Sequence, residues 1–306
     1  MRRLATAGLA LAMLATAGWL GNRVRSWNDE LALPAPPVAR MAEHSESSDD
    51  HDPRTPRLAG RVVLVVIDGL GIDEAQQPQL SYLHALGRSG VAATARVPYP
   101  TISRPNYVTI LTGVPPRDSG VRVNRVQAPV AVDTVMDRVR AAGLGAATAS
   151  DFGMMASLFL RNTASITGID WVERGTQVSP PQPIGWPFDD ARRTGSLAEL
   201  RPVIAELAAG DAALVAVLVL DVDRAGHASG IGDEYRAAAA EVDRTLRGAF
   251  AGIDFARDAV IVTADHGHVA PGGHGGDERE VSTVPLLLAG SGIVPGTTPR
   301  DARLID

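Results

Sequence analysis

The 306-residue chain contains no cysteine and no lysine; all 29 of its basic residues are arginine. Without cysteine there are no disulfides, no thiolate metal sites and no thiol nucleophile. Without lysine there is no P-loop, no Schiff base and no Ser-Lys dyad. Arginine in place of lysine is what a GC-rich coding sequence produces. A net charge of −6 leaves no basic footprint and argues against a protein that coats nucleic acid. Histidine is also scarce: there are seven, and four of them (His227, His266, His268 and His274) are clustered in the C-terminal part. What is plentiful is apolar surface, at 45% of residues, ample for one large core.

Met1-Arg2-Arg3 precedes an apolar run from Leu4 to Leu20 without a charged residue. A basic start and a run of that length fit a secretory signal or short membrane anchor over residues 1–21, with Ala15-Thr16-Ala17 resembling a cleavage site. The expectation is an exported protein, periplasmic or on the extracellular face, associated with the membrane through residues 4–20 if the run is kept. Residues 22–59 contain Pro34-Ala35-Pro36-Pro37 and an acidic tract from His44 to Asp52, with no apolar periodicity, and read as a disordered linker. From residue 60 to 306, β-branched runs alternate with helical patterns. Strands are expected at Val62–Ile67, Gly145–Ala149, Ala212–Leu220, Ala259–Thr263 and Val284–Leu288. Helices are expected at Glu74–Leu86, Val130–Ala142, Leu197–Ala209 and Glu234–Phe250. Such alternation predicts a single α/β domain with a mainly parallel central sheet and helices on both faces.

In sheets of this kind the chemistry gathers beyond the carboxyl ends of the strands. Three apolar runs here end in Asp68-Gly-Leu-Gly71, in Asp221-Val-Asp223-Arg-Ala-Gly-His227 and in Ala264-Asp265-His266-Gly-His268. Gly272-Gly-His274-Gly follows closely. Taken singly, Asp68 could cap a helix, Asp223 and His227 could form a surface ion pair, and His274 could lie in a solvated turn. Taken together they bring six oxygen and nitrogen ligands to one rim, more than one tetrahedral ion needs, which implies two metal ions. Pro100-Thr101-Ile102-Ser103-Arg104-Pro105-Asn106 leads into a helical segment, Tyr107–Thr112. A hydroxyl there faces the positive end of the helix dipole. It either caps the helix or, beside two cations, acts as a serine nucleophile activated by metal in the absence of a nearby histidine base.

The set Val-Ile-Asp68-Gly, Pro-Thr-x-Ser103-x-Pro-Asn106, Asp223-x-x-Gly-His227, Ala-Asp265-His266-Gly and Gly-Gly-His274-Gly resembles the alkaline phosphatase superfamily. Within it, the chain is similar to the type I phosphodiesterase/nucleotide pyrophosphatase branch from Val62 to Ile293, with the motifs in family order. The resemblance implies an alkaline-phosphatase-like fold with two zinc sites. Asp223, His227 and His274 would hold one ion; Asp68, Asp265 and His266 would hold the other, with Ser103 on it as nucleophile. Asn106 would contact a non-bridging phosphate oxygen. A nitrogen and oxygen donor set suits zinc, and manganese also. The implied activity is hydrolysis of small-molecule phosphate esters, phosphodiester or nucleotide pyrophosphate bonds, through a covalent phosphoserine. Alternatives are a phosphoethanolamine-type transferase, a phosphomonoesterase or, outside the enzymes, a metal-binding protein without turnover. A sulfatase is disfavoured because Tyr107 stands where that signature carries arginine.

The chain also departs from the family pattern. Ser103 replaces threonine. Arg104 replaces an aromatic residue, and either grips an extra negative charge on the substrate or lies at the surface. His268 has no counterpart and is expected behind the ligands or exposed. Trp171 and Trp186, in the uninterpreted stretch Asp151–Phe188, are expected to pack rather than to stack on a base. Relatives continue past a position like Asp306, so the catalytic domain, residues 60–306, is read as truncated at its C-terminus.

Overall fold

The computed structural model describes residues 13–23, 57–124, 132–150, 171–173, 176–178, 190–193, 196–297, 299 and 301–304. Helix α1, residues 13–23, is exposed along its length, and no helix among the described residues is long and apolar enough to cross a membrane. Residues 1–12 and 24–56, which hold part of the expected apolar run and most of the expected linker, lie outside the described residues.

The domain then runs β1 (Arg61–Ile67), α2 (Ile72–Ala75), α3 (Ser81–Ser89), β2 (Val91–Arg96), α4 (Ser103–Thr112), α5 (Pro116–Ser119), α6 (Val135–Ala141) and β3 (Ala146–Ser150). It continues through a short antiparallel pair, β4 (Trp171–Glu173) and β5 (Thr176–Val178), to β6 (Asp190–Arg193), α7 (Leu197–Ala209) and β7 (Leu214–Val219). The last elements are α8 (Asp221–Ser229), α9 (Asp233–Ala249), β8 (Asp258–Thr263), α10 (Arg279–Ser282) and β9 (Thr283–Gly290). Seven strands form the main sheet in the order β2-β9-β8-β1-β7-β3-β6. The pairs from β8 through β6 are parallel, whereas β9 runs antiparallel to both β8 and β2. A parallel return needs a crossover of a dozen or more residues, usually a helix. The chain after β8 instead forms the histidine-bearing loop, so β9 comes back alongside β8 in the opposite sense.

Strand periodicity explains the two-sided core. Val63, Val65 and Ile67 of β1, with Val215, Val217 and Val219 of β7, face a cluster that includes Leu200, Ile204, Tyr235 and Leu246 from α7 and α9. The intervening residues Val66, Leu214, Ala216 and Leu218 face Tyr107, Val108 and Leu111 of α4 and Met136 of α6. Alternate residues therefore bury against helices on opposite faces, which is why the central strands read as unbroken apolar runs.

The expected helix Glu74–Leu86 is two helices. Pro78 lies between α2 and α3, and proline both lacks the N–H and clashes with the preceding turn of a continuing helix. The start of α3 has no capping side chain of its own. Asp243, buried on α9, supplies it by accepting from the backbone N–H groups of Tyr82 (3.1 Å) and Leu83 (2.8 Å). Strands β2 and β6 were not expected, because an alanine-rich run and Asp-Ala-Arg-Arg carry little strand signal. The expected helix Val130–Ala142 is α6, shorter at both ends, and residues 130 and 131 lie outside the described residues, as do Trp186 and the Trp171 side chain.

Candidate metal centre

Strands β7, β1 and β8 are neighbours in the sheet, so whatever follows their carboxyl ends converges. Asp68 follows β1, Asp223 lies in the first turn of α8 after β7, and Asp265 and His266 follow β8. The i,i+4 spacing on α8 puts Asp223 and His227 on one face, with Oδ1 and Nε2 3.4 Å apart. His274 arrives by a different route. Its Nδ1 lies 2.9 Å from the Thr101 carbonyl oxygen. Thr101 Oγ1 accepts from the Gly275 N–H at 3.0 Å and donates to the Gly276 carbonyl at 2.7 Å. The loop before α4 is thereby fastened to the glycine-rich loop. His274 Nε2 comes to 3.1 Å from His227 Nε2 and 3.7 Å from Asp223 Oδ1.

A second set adjoins the first. His266 Nε2 lies 3.4 Å from Asp68 Oδ1, 3.3 Å from Asp265 Oδ2 and 3.2 Å from Ser103 Oγ. The His266 and His274 rings stack with centroids 3.7 Å apart, so the two sets share a wall. Donors about 2.0–2.2 Å from a tetrahedral zinc ion stand about 3.3–3.6 Å from one another. Both sets cluster around that length. Asp68, Asp265 and His266 are wholly buried, and among the described residues Asp265 Oδ2 has no hydrogen-bond partner. A buried carboxylate oxygen with no donor is the kind of group a cation satisfies. On donor chemistry, spacing and burial, the residues present fit metal ions. Asp223 also lies within a ligand's reach of His227 and His268, and of His266 and His274.

The electrostatics point the same way. Burial, and then the nearby Asp223 charge, hold the Asp265 carboxyl well above the usual carboxylate range. Burial, then the neighbouring rings of His274 and His268, hold His266 well below the usual imidazole range. His274 is lowered chiefly by burial, despite its bond to Thr101. These imidazoles are kept in the uncharged form that ligates a metal, and a cation would offset the crowding of Asp265 by Asp223.

Ser103 opens α4, but the position that caps the helix is Ile102, which makes no side-chain cap bond. The Ser103 hydroxyl is not used as a cap, and that of Thr101 is spent on the glycine-rich loop. A histidine next to Ser103 was not visible in the sequence; the fold brings His266 there from 163 residues away. Arg104 is buried rather than on the surface, and its backbone N–H donates to Asn124 Oδ1 at 3.0 Å. Asn106 is wholly buried, and its Nδ2 donates to the Pro100 and Ile102 carbonyls, both at 3.1 Å. In this conformation that amide fastens the turn ahead of Ser103. His268 is buried, not exposed, with Nε2 2.9 Å from Asp223 Oδ1. Tyr235, which no motif singled out, donates its hydroxyl to the Gly69 carbonyl and accepts from the Gly71 N–H, holding the turn after Asp68.

Residues 62–272 match the family model described as type I phosphodiesterase / nucleotide pyrophosphatase. The chain is 25% identical over 286 residues to GPI ethanolamine phosphate transferase 1 of Emericella nidulans, an alignment covering 82% of this chain and 29% of the relative. It thus spans less than a third of that relative's length. Among solved structures it is similar to murine ectonucleotide pyrophosphatase / phosphodiesterase 5, with a TM-score of 0.53 and 16% identity, covering 68% of this chain and 57% of that one. It is also similar to phosphonoacetate hydrolase from Sinorhizobium meliloti 1021, with a TM-score of 0.51 and 18% identity, covering 69% and 57%. At these identities the structural likeness is one of fold.

Proposed function

The chain belongs to the type I phosphodiesterase / nucleotide pyrophosphatase family, and from that premise we propose that it is a two-zinc phosphoesterase working through Ser103. The observation that carries this reading is the spacing of Ser103 Oγ, 3.2 Å from His266 Nε2, within the buried set that also contains Asp68 and Asp265. One ion would be held by Asp223, His227 and His274, the other by Asp68, Asp265, His266 and Ser103. Bound there, the ions supply Lewis-acid stabilisation of phosphoryl oxygens and make serine and water better nucleophiles at neutral pH.

The rest of the chemistry belongs to the chain. Ser103 Oγ, at the start of α4, forms the bond to phosphorus as the ester bond to the leaving group breaks. The positive end of the α4 dipole lies where negative charge gathers on the transferring group. Asn106 holds the Pro100–Ile102 turn and so fixes the approach of Ser103. Arg104, buried beside the nucleophile, is assigned to the substrate's negative charge. A water molecule then takes the phosphoryl group from Oγ, completing hydrolysis of a small phosphodiester or pyrophosphate. Export, with residues 4–20 as signal or anchor, would place this activity outside the cytoplasm.

A second reading has its own support. The curated relative reported above is an ethanolamine phosphate transferase, so the acceptor in the second step would be a sugar or lipid hydroxyl in place of water. Zinc-loaded protein assayed on bis- and mono-p-nitrophenyl phosphate, beside Ser103→Ala, tests the first reading. Diester turnover that vanishes in the variant is expected. Turnover untouched by the substitution refutes the covalent route. No turnover of either ester by a chain that binds two zinc ions favours transfer.

A further inference from the structure

The ligand assignment leaves His268 unused, although it is wholly buried at the centre of the cluster. Its ring occupies a slot walled by two glycines from different segments, Gly69 in the turn after β1 and Gly226 on α8. A Cβ added at Gly226 would come within 2.7 Å of Nε2, and one at Gly69, where φ is +77°, within 3.0 Å of the same atom. The Tyr235 ring meets it edge-on, centroids 5.9 Å apart. Both ring nitrogens are engaged. The Gly273 N–H donates to Nδ1 at 3.1 Å, so the ring proton sits on Nε2, which donates to Asp223 Oδ1 at 2.9 Å. That separation is a hydrogen-bond length. A nitrogen that carries a proton is also not a metal ligand.

We propose that His268 is a positioning residue: its Nε2–H sets the orientation of the Asp223 carboxylate, while its Nδ1 sets the turn that delivers His274. One imidazole thus registers two ligands that lie on separate segments, the start of α8 and the glycine-rich loop. The inference rests on the reading of Asp223, His227 and His274 as one metal set. Asp223 keeps a second lone pair on Oδ1 and all of Oδ2 for an ion. Loss of a hydrogen bond that orients a ligand typically costs 10–100-fold in metal affinity.

The test is competitive zinc titration of the full chain, stripped with chelator, as wild type, His268→Met and His268→Gln. Wild type should bind two ions. The methionine variant should bind one of them 10–100-fold more weakly and the other unchanged. Glutamine, which can still donate to Asp223, should recover part of the loss. Cobalt-loaded His268→Met at saturation should keep the wild-type visible band intensity, because no ligand has been removed. Wild-type affinity for both ions in both variants overturns the inference and leaves the two-ion reading standing. A cobalt spectrum reporting one ligand fewer also overturns it, by making His268 a ligand. A wild-type chain that binds fewer than two ions overturns the two-ion reading, and the inference with it. If the methionine variant does not fold, glutamine alone decides between unchanged and weakened binding.

Discussion

Two of the bonds that join the nucleophile loop to the glycine-rich loop pass through one hydroxyl, which makes Thr101→Val the sharpest single perturbation of the site. Valine has nearly the same shape, so it leaves no cavity and keeps the Thr101 carbonyl that meets His274 Nδ1. It removes Oγ1, and with it the bond accepted from Gly275 and the bond donated to Gly276. Thr101 is buried, but both glycines are only partly so, and water reaches some of what is freed. Each broken bond then sits at the low end of the 1–3 kcal/mol cost of an orphaned polar group, about 2 kcal/mol for the pair. For a domain of this size that is a fall of roughly 4–8 °C in melting temperature. Thr101→Ser keeps Oγ and should lose less than half as much. The second readout is metal binding, because His274 is delivered by this joint. Zinc affinity should weaken in the valine variant for the ion assigned to Asp223, His227 and His274, and stay unchanged for the ion held with Asp265. Calorimetric melting of chelator-treated protein, followed by zinc titration, measures both. A valine variant as stable as wild type, with both affinities intact, would refute the reasoning.

Three further outcomes follow from the same geometry. In metal-free protein Asp265→Asn should raise the melting temperature at neutral pH: the folded carboxyl titrates above its ordinary 3.8, so the stability it costs is absent below that pH and grows as pH rises. Melting curves of both proteins between pH 3 and 7 should diverge as pH rises; curves that stay parallel contradict the burial argument. Saturating both sites at a hundredfold over Kd should stabilise the chelator-treated chain by about 5 kcal/mol, roughly 10–20 °C, and His266→Ala should forfeit about half of that. Tyr82 is pushed up to about 12 by burial and then by Asp243, so the protonated phenol stabilises the fold below pH 10 and this is lost as pH rises from 10 towards 12. Tyr82→Phe should flatten that alkaline decline in melting temperature, and an unchanged slope would show the phenol to be solvated.

How much of this could be read from the chain alone was decided by sequence distance. The central strands β1, β7 and β8 and the long helices α7 and α9 were legible, because a run of β-branched residues or a 3.6-residue stripe is a local pattern. Asp68, Asp223, Asp265 and His266, proposed as ligands, were legible too, since each follows closely on a strand and the rule that chemistry collects at strand ends needs no knowledge of the partner. What stayed hidden is whatever is made by contacts between segments. Asp243 caps a helix 160 residues away, which no capping signal beside α3 announces. A hydroxyl close to a helix start reads locally as a cap, whereas the partners of the Thr101 hydroxyl lie 174 and 175 residues downstream. His268 looked surplus for the same reason, since its meaning comes from Gly69, Gly226 and Gly273, which lie on three separate segments. Ser103 shows both sides. Its place at a helix start was visible in Ser-Arg-Pro-Asn, but that its hydroxyl is spared capping, and lies against His266, depends on Ile102 and on the return of β8 beside β1. A local motif therefore identifies which atoms can do chemistry, whereas the backbone approach of distant loops decides which of them meet.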